Sequence, residues 1–221
     1  MLSTTPMKLS SSNGIAVFCF DFDGTIANTM PYLTDLAVGV LCKYYGIDRD
    51  QALTRYINTT GLPFSEQVAS IFPGNPNNVA AIDEFERFKA LKYFDLDPSQ
   101  GARDTLDHLR ALDYRIAISS STLTGLVTNY LKIHKLPFDI ALGYAPHFRK
   151  GKDHFDFIAS KYSVSLSEIC YVGDSLNDYM LAMKSGVDFI AKTGIFSKED
   201  FRKLDSGVNC ISRLDELELY V

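Results

Sequence analysis

Four carboxylates in two short runs carry the chemistry that this chain could perform. Asp21 and Asp23 stand two residues apart in Phe20-Asp21-Phe22-Asp23-Gly24-Thr25. Asp174 and Asp178 follow far along the chain in Val172-Gly173-Asp174-Ser175-Leu176-Asn177-Asp178. At the end of an extended segment, a two-residue spacing turns both side chains to one side, and Gly24 then permits a tight turn. Between the two runs, Ser119-Ser120-Ser121-Thr122 offers hydroxyl and amide donors just before a helix start, which suits an anion. Carboxylates gathered at one place repel one another, so some are protonated or a cation lies among them. Hard oxygen donors with no His or Cys in the pattern select Mg²⁺ over zinc. Each run alone has a plain alternative, an acidic turn for Asp21 to Gly24 and a strand-to-helix cap for Gly173-Asp174. Their order, each at the end of an apolar run, favours the chemical reading.

The elements that must position these groups are short apolar runs alternating with amphipathic stretches. The runs are Ile15 to Phe20, Ile116 to Ile118, Ile140 to Leu142, Ile169 to Val172, Phe189 to Ala191 and a weaker Val208 to Ile211. Between them, Leu123, Leu126, Val127, Tyr130 and Leu131 lie on one helical face, as do Phe155, Ile158, Ala159 and Tyr162. Alternating strand and helix predict an α/β fold, a Rossmann-like doubly wound parallel sheet covered on both faces, with the run ends converging along one edge. Residues 30–97 break the alternation: Leu33, Leu36, Ala37, Val40, Leu41 and Tyr44 form one helical stripe, and Ala81, Ile82, Phe85, Phe88 and Leu91 another. Tyr45-Gly46, Thr60-Gly61-Leu62-Pro63 and Phe72-Pro73-Gly74-Asn75-Pro76 are turn signals between them. The expectation is an inserted helical cap over 30–97, a core made of 14–29 and 98–221, and a disordered tail over 1–13. An insertion leaving the end of the first strand lies over the ligand-binding edge of such a sheet, as a lid would.

The chain has 221 residues, 46% of them apolar, with Lys+Arg 22 against Asp+Glu 27 and a net charge of -5. That supports one large or two small cores. A mildly acidic chain without a dense basic run argues against nucleic acid or an anionic membrane surface as the main partner and favours a small metabolite. No apolar run reaches the roughly 18 residues of a membrane span, and the polar start lacks a signal-peptide segment, so a soluble cytoplasmic protein is expected. Cys19, Cys42, Cys170 and Cys210 show no paired metal-ligand spacing, and Cys19 and Cys170 read as core thiols.

The motifs resemble the haloacid dehalogenase superfamily, whose DxDGT signature is matched by Asp21-Phe22-Asp23-Gly24-Thr25. Its second motif, a hydrophobic strand ending in Ser or Thr, resembles Ile116 to Ser120, and its fourth, GDxxxD, resembles Gly173 to Asp178. A helical insertion between the first two motifs is similar to the subgroup that includes phosphoglycolate phosphatase. The resemblance covers nearly all of residues 14–221. It implies that Asp21 attacks phosphorus to form an aspartyl-phosphate, while Asp23 protonates the leaving oxygen and later deprotonates water. It also implies Mg²⁺ held by the Asp21 side chain, the Asp23 main-chain carbonyl and Asp174, with Asp178 in support. Ser120 and the Ser121 amide would bind the phosphate, along with Gly24 and Thr25, although the register within Ser119 to Ser121 is open by one. The third motif is a lysine, and Arg149-Lys150-Gly151-Lys152 offers two without the usual lysine-proline pairing. Lys152, beside the following helix, is favoured as the catalytic and phosphate-binding lysine, with Lys150 the alternative.

Thr59 to Phe64 resembles the cap loop of phosphoglycolate-phosphatase-like members, though Gly61 and Pro63 would equally shape a plain helix-helix turn. Lys43, Arg49, Arg55, Arg87, Lys89 and Lys92 could meet a second anionic group, but most belong on solvated faces. Of the four histidines, His154 is the one near enough to Lys152 to suggest a site role, whereas His108 and His134 read as helix-surface or helix-end residues. The superfamily's dehalogenases lack the second acid of the first motif, and its phosphonatases need a cap lysine for a Schiff base. A phosphomutase differs mainly in keeping water out. A non-catalytic phosphate- or Mg²⁺-binding regulator is the reading from another class. Assembly is expected to be a monomer or weak homodimer. If Asp21 is the nucleophile, Asp21→Asn abolishes hydrolysis while circular dichroism and melting show an intact fold; retained turnover would remove the covalent mechanism.

Overall fold

Strand β1 (Val17–Phe20) is buried on both faces, which is why it reads as an unbroken apolar run rather than an alternating one. Phe18 and Phe20 pack into one core with Leu106, Ile116 and Ile118, while Val17 and Cys19 pack into a second with Phe155, Ile158 and Tyr171. The structure, a computed structural model, describes residues 14–221; the segment 1–13, expected as a tail, lies outside the described residues. β1 pairs with β2 (Arg115–Leu123) on one side and β4 (Ile169–Gly173) on the other. With β3 (Ile140–Tyr144), β5 (Asp188–Lys192) and β6 (Asn209–Ile211) they form a parallel sheet of order β3-β2-β1-β4-β5-β6. The order reverses beside β1, so the ends of β1, β2 and β4 border the crevice where such sheets bind ligands. The α/β expectation therefore holds, and Cys19 and Cys170 are buried free thiols.

Between β1 and β2 run α1 (Met30–Tyr45), α2 (Arg49–Ile57), α3 (Phe64–Ile71) and α4 (Asn78–Lys92), followed by a 3-10 turn over Tyr93–Asp95 and by α5 (Ala102–Ala111). Gly46 ends α1 in the left-handed region at φ 65°, returning its amide to Cys42, and Asp48 caps α2 by accepting the Gln51 amide at 2.8 Å. The first four helices share an apolar cluster of their own, with Leu33, Leu41, Tyr56, Phe64 and Phe85 at its centre. The remaining helices, α6 (Thr124–Ile133), α7 (Lys152–Tyr162), α8 (Leu176–Ser185) and α9 (Lys198–Leu204), cover the sheet. Among the described residues no helix is long and apolar enough to cross a membrane.

Two local expectations change. The stripe expected on α4 ran through Phe88 and Leu91, yet these are exposed (37% and 66%), and the helix buries Ala81, Phe85 and Lys89 instead. Steps of four keep those three on one face, and the apolar residues at 88 and 91 fall off it. Strand β2 also continues through Ser119 to Leu123 instead of ending at Ile118, with its register against β3 shifting between Ser119 and Leu123. Such irregularities re-aim side chains at sheet ends.

His154 on α7 is fully buried against the Phe148 ring, its Nδ1 2.8 Å from Ser119 Oγ. Burial first, and then the Lys150 charge, push its pKa down to about 4. The unfolded chain therefore takes up a proton below about pH 6.5 that the native fold excludes. The contribution of His154 to stability is full above that pH and falls between 6.5 and 4 by about 3 kcal/mol. Urea unfolding of wild type and His154→Asn at pH 7.5 and 4.5 checks this: the variant should lose much less on acidification, and equal losses would refute the assignment.

Candidate active site

The end of β1 is continued by one further pairing, the Asp21 amide donating to Val172 O at 2.8 Å, so Asp21 is held at the edge of the sheet. Phe22 anchors the next residue by sinking between the Tyr93 and Tyr130 rings. Gly24 turns the chain at φ +85°, and a Cβ there would lie 2.0 Å from Asp174 Oδ2. Only glycine lets the first loop approach the fourth strand's acid this closely. The Gly24 amide donates to Ala27 O at 2.8 Å and so closes the loop. Thr25 is buried in the same turn with its Oγ1 unpartnered, and it does not line the cleft between the acids and the inserted helices.

Carboxylate oxygens of Asp21, Asp174 and Asp178 lie within 4.8 Å of one another, all buried. The Lys150 ammonium, almost fully buried, bridges two of them, 2.6 Å from Asp21 Oδ1 and 2.7 Å from Asp178 Oδ1. Burial opposes its charge, but Asp178 and Asp21 raise its pKa and keep it protonated. Lys152 is elsewhere: its side chain is 72% exposed and pairs with Asp156 on the outer face of α7. The structure thus sets Lys150, and not the favoured Lys152, beside the acids. The cause is Gly151, whose φ of +100° reverses the chain so that the preceding lysine points inward and the following one begins the helix.

Asp178 is satisfied by protein alone, with Oδ1 accepting from Lys150 and from Tyr171 OH (2.9 Å) and Oδ2 from the Ser175 hydroxyl (2.7 Å) and amide (3.1 Å). Burial pushes Asp21 up to about 7 against the pull of Lys150, with the Asp178 and Asp23 charges adding to the rise. Burial also raises Asp174 well above the carboxylate range, followed by the charges of Asp21 and Asp178. Asp21 and Asp174, all-oxygen donors whose ionised forms repel, fit a hard divalent cation, with Asp178 behind them fixed through Lys150.

Asp23 stands outside that cluster. Its Oδ1 accepts from Thr29 Oγ1 and Tyr93 OH, and its Oδ2 from Thr122 Oγ1, each at 2.8 Å. On β2, Ser120 is 1% exposed and its Oγ accepts the Thr122 amide at 3.0 Å, leaving the hydroxyl hydrogen to donate into the cleft. Ser121 Oγ donates instead to Gly61 O at 2.8 Å, tying β2 to the loop before α3. Opposite, buried Lys89 of α4 donates to Thr122 Oγ1 at 2.7 Å. These groups close on a cleft of about 70 Å³. From sequence, Lys89 stood among six cations that could meet a second anionic group and Thr122 closed the run of donors suited to an anion; the structure brings the two together. The sequence reading missed Tyr93, which carries no signal beyond its aromatic type, and Thr29, which was not singled out.

Residues 18–192 match the model of the haloacid dehalogenase-like hydrolase family. No curated protein matches the chain. Among solved structures, a protein described as a haloacid dehalogenase-like hydrolase from Bacteroides fragilis is 22% identical, with TM-score 0.76 over 92% of this chain and 99% of that one. A predicted phosphoglycolate phosphatase from Haemophilus somnus is 19% identical, with TM-score 0.73 over 96% and 100%. CbbY from Rhodobacter sphaeroides, in complex with xylulose-(1,5)bisphosphate, is 21% identical, with TM-score 0.69 over 92% and 96%. At these identities the likeness speaks for the fold. If Lys150 rather than Lys152 serves the site, Lys150→Ala lowers any Asp21-dependent turnover on the order of 100-fold, whereas Lys152→Ala stays within about threefold because an exposed pair contributes little. The reverse ranking in steady-state rates would restore Lys152.

Proposed function

The chain belongs to the haloacid dehalogenase-like hydrolase family, and from that membership we propose that it is a Mg²⁺-dependent phosphatase acting on a small phosphorylated metabolite. The observation that carries the reading is the placement of Asp21 beside the Lys150 ammonium and Asp174, with Asp23 two residues on and facing the same cleft. The reading takes 30–97 as the cap over a core of 14–29 and 98–221, in a cytoplasmic protein that is a monomer or weak homodimer.

In the first half-reaction an Asp21 carboxylate oxygen forms a bond to phosphorus as the ester P–O bond breaks, and protonated Asp23 gives its proton to the departing alcohol oxygen. In the second, Asp23 accepts a proton from water as the water oxygen bonds to phosphorus and the bond to Asp21 breaks, releasing inorganic phosphate. Asp23 ends protonated again, so the cycle closes. A carboxylate is a weak nucleophile, and the rate comes from position and from neutralising the phosphoryl oxygens. Lys150 and the Ser120 hydroxyl do the latter from the protein side, while Thr29, Tyr93 and Thr122 hold Asp23 in place between its two proton transfers. Asp21, Asp174 and the Asp23 main-chain carbonyl would hold a Mg²⁺ ion, which when bound would supply further positive charge near the phosphoryl oxygens.

A second reading rests on Lys89, which gives the insertion a buried lysine of the kind a phosphonatase requires. Asp23, retained and held by hydroxyl donors, supports ester hydrolysis instead, because its proton suits an alcohol leaving group.

Phosphate release from a panel of phosphorylated metabolites, with and without a chelator, tests the proposal. Turnover should vanish with the chelator and return with Mg²⁺. Asp23→Asn should slow alkyl phosphates by about 10²–10⁴-fold, yet still give a first burst of phenol from an aryl phosphate, whose leaving group needs no proton. Folded wild type that binds Mg²⁺ and hydrolyses nothing would sink the phosphatase reading.

A further inference from the structure

Lys89 is a buried ammonium without a counter-ion. It is 7% exposed, and among the described residues no carboxylate lies within 4 Å of its Nζ. Its one hydrogen-bond partner is the neutral Thr122 hydroxyl, and its Nζ sits 5.3 Å from the centre of the Tyr93 ring. A desolvated charge in this state is costly unless an anion completes it. The nearby acids are otherwise engaged, since Lys150 bridges Asp21 and Asp178 while three hydroxyls hold Asp23. Glu86, one turn earlier on α4, lines the cleft without forming an ion pair to Lys89.

The position of Lys89 says which part of a substrate it meets. Thr122 bridges it to Asp23 Oδ2, the acid that faces the departing oxygen, whereas Lys150 and Ser120 face the phosphoryl group. Lys89 therefore lies on the leaving-group side, reaching in from the inserted helices. The cleft of about 70 Å³ is narrow, and with Thr122 alone between Lys89 and Asp23 a group that meets Lys89 lies a few bonds from the ester oxygen.

Resting on the phosphatase reading, we infer that Lys89 is the specificity-determining residue of this site and receives a second anionic group, a carboxylate or a phosphate, carried on the leaving group of a compact phosphomonoester. A hydrogen-bonded ion pair formed in a desolvated cleft gives roughly a 10- to 100-fold preference over a neutral ester of similar size.

The test compares wild type, Lys89→Met and Lys89→Arg on phosphoglycolate, a small sugar bisphosphate and the neutral-leaving-group ester glycerol phosphate. Lys89→Met should lose roughly 10- to 100-fold more kcat/KM on the anionic esters than on glycerol phosphate, the excess appearing chiefly in KM. Lys89→Arg should recover most of the loss, because charge and not an imine-forming amine is required. Whichever anionic ester suffers the larger loss tells carboxylate from phosphate. Equal losses on anionic and neutral esters would overturn the assignment and make Lys89 a support for Thr122 and Asp23. Calorimetric binding of the same esters to Asp21→Asn, with and without Lys89→Met, separates this inference from the reading beneath it. Binding that discriminates through Lys89 while wild type turns nothing over removes the phosphatase and keeps the anion site. Binding that does not discriminate removes the anion site whatever the turnover.

Discussion

Three carboxylates forced together where two buried strands and a helix meet would drive the site apart if nothing offset their repulsion, and Lys150 is the protein's own answer. Its ammonium touches Asp21 and Asp178 at once, so the first and fourth motifs are joined by one side chain arriving from the loop after β3. Burying such a charge network is costly unless its geometry is complete. Completeness here comes from ordinary devices: the capping box of α8 satisfies one oxygen of Asp178, and Tyr171 shares the other with Lys150. What remains under-compensated is Asp174 and the side of Asp21 turned away from Lys150, an all-oxygen arrangement that fits a hard cation.

Asp23 is handled differently, although it is only two residues from Asp21. It sits among hydroxyl donors drawn from three elements: Thr29 before α1, Tyr93 after α4 and Thr122 on β2. Two of these flank the insertion where it leaves and rejoins the sheet, so Asp23 is held at the junction of the two parts of the chain. Neighbouring acids in unlike surroundings are what a division of labour between nucleophile and proton carrier requires.

The sheet was legible because strands buried on both faces leave continuous apolar runs, and all six expected runs fall on strands. Glycine punctuation was equally readable, as at Gly46 closing α1. The failures share a cause: they turn on direction, which composition does not record. Lys150 and Lys152 are equivalent as sequence, and only the backbone angle at Gly151 sends one inward and one to solvent. On α4 the exposed Phe88 and Leu91 masked the fact that the inward face ends in a lysine. Tyr93 looked like packing and is packing, but its hydroxyl also reaches Asp23, a second duty that a core tyrosine does not announce.

The inserted helices keep an apolar cluster separate from the two that flank the sheet. Apart from the hydrogen bonds that tie Lys89 and Gly61 to β2, the side of the cleft these helices provide therefore rests on the insertion's own packing. The part of the cleft that admits a ligand and the part that holds the acids thus rest on separate cores, and a change in the packing of one is not forced on the other.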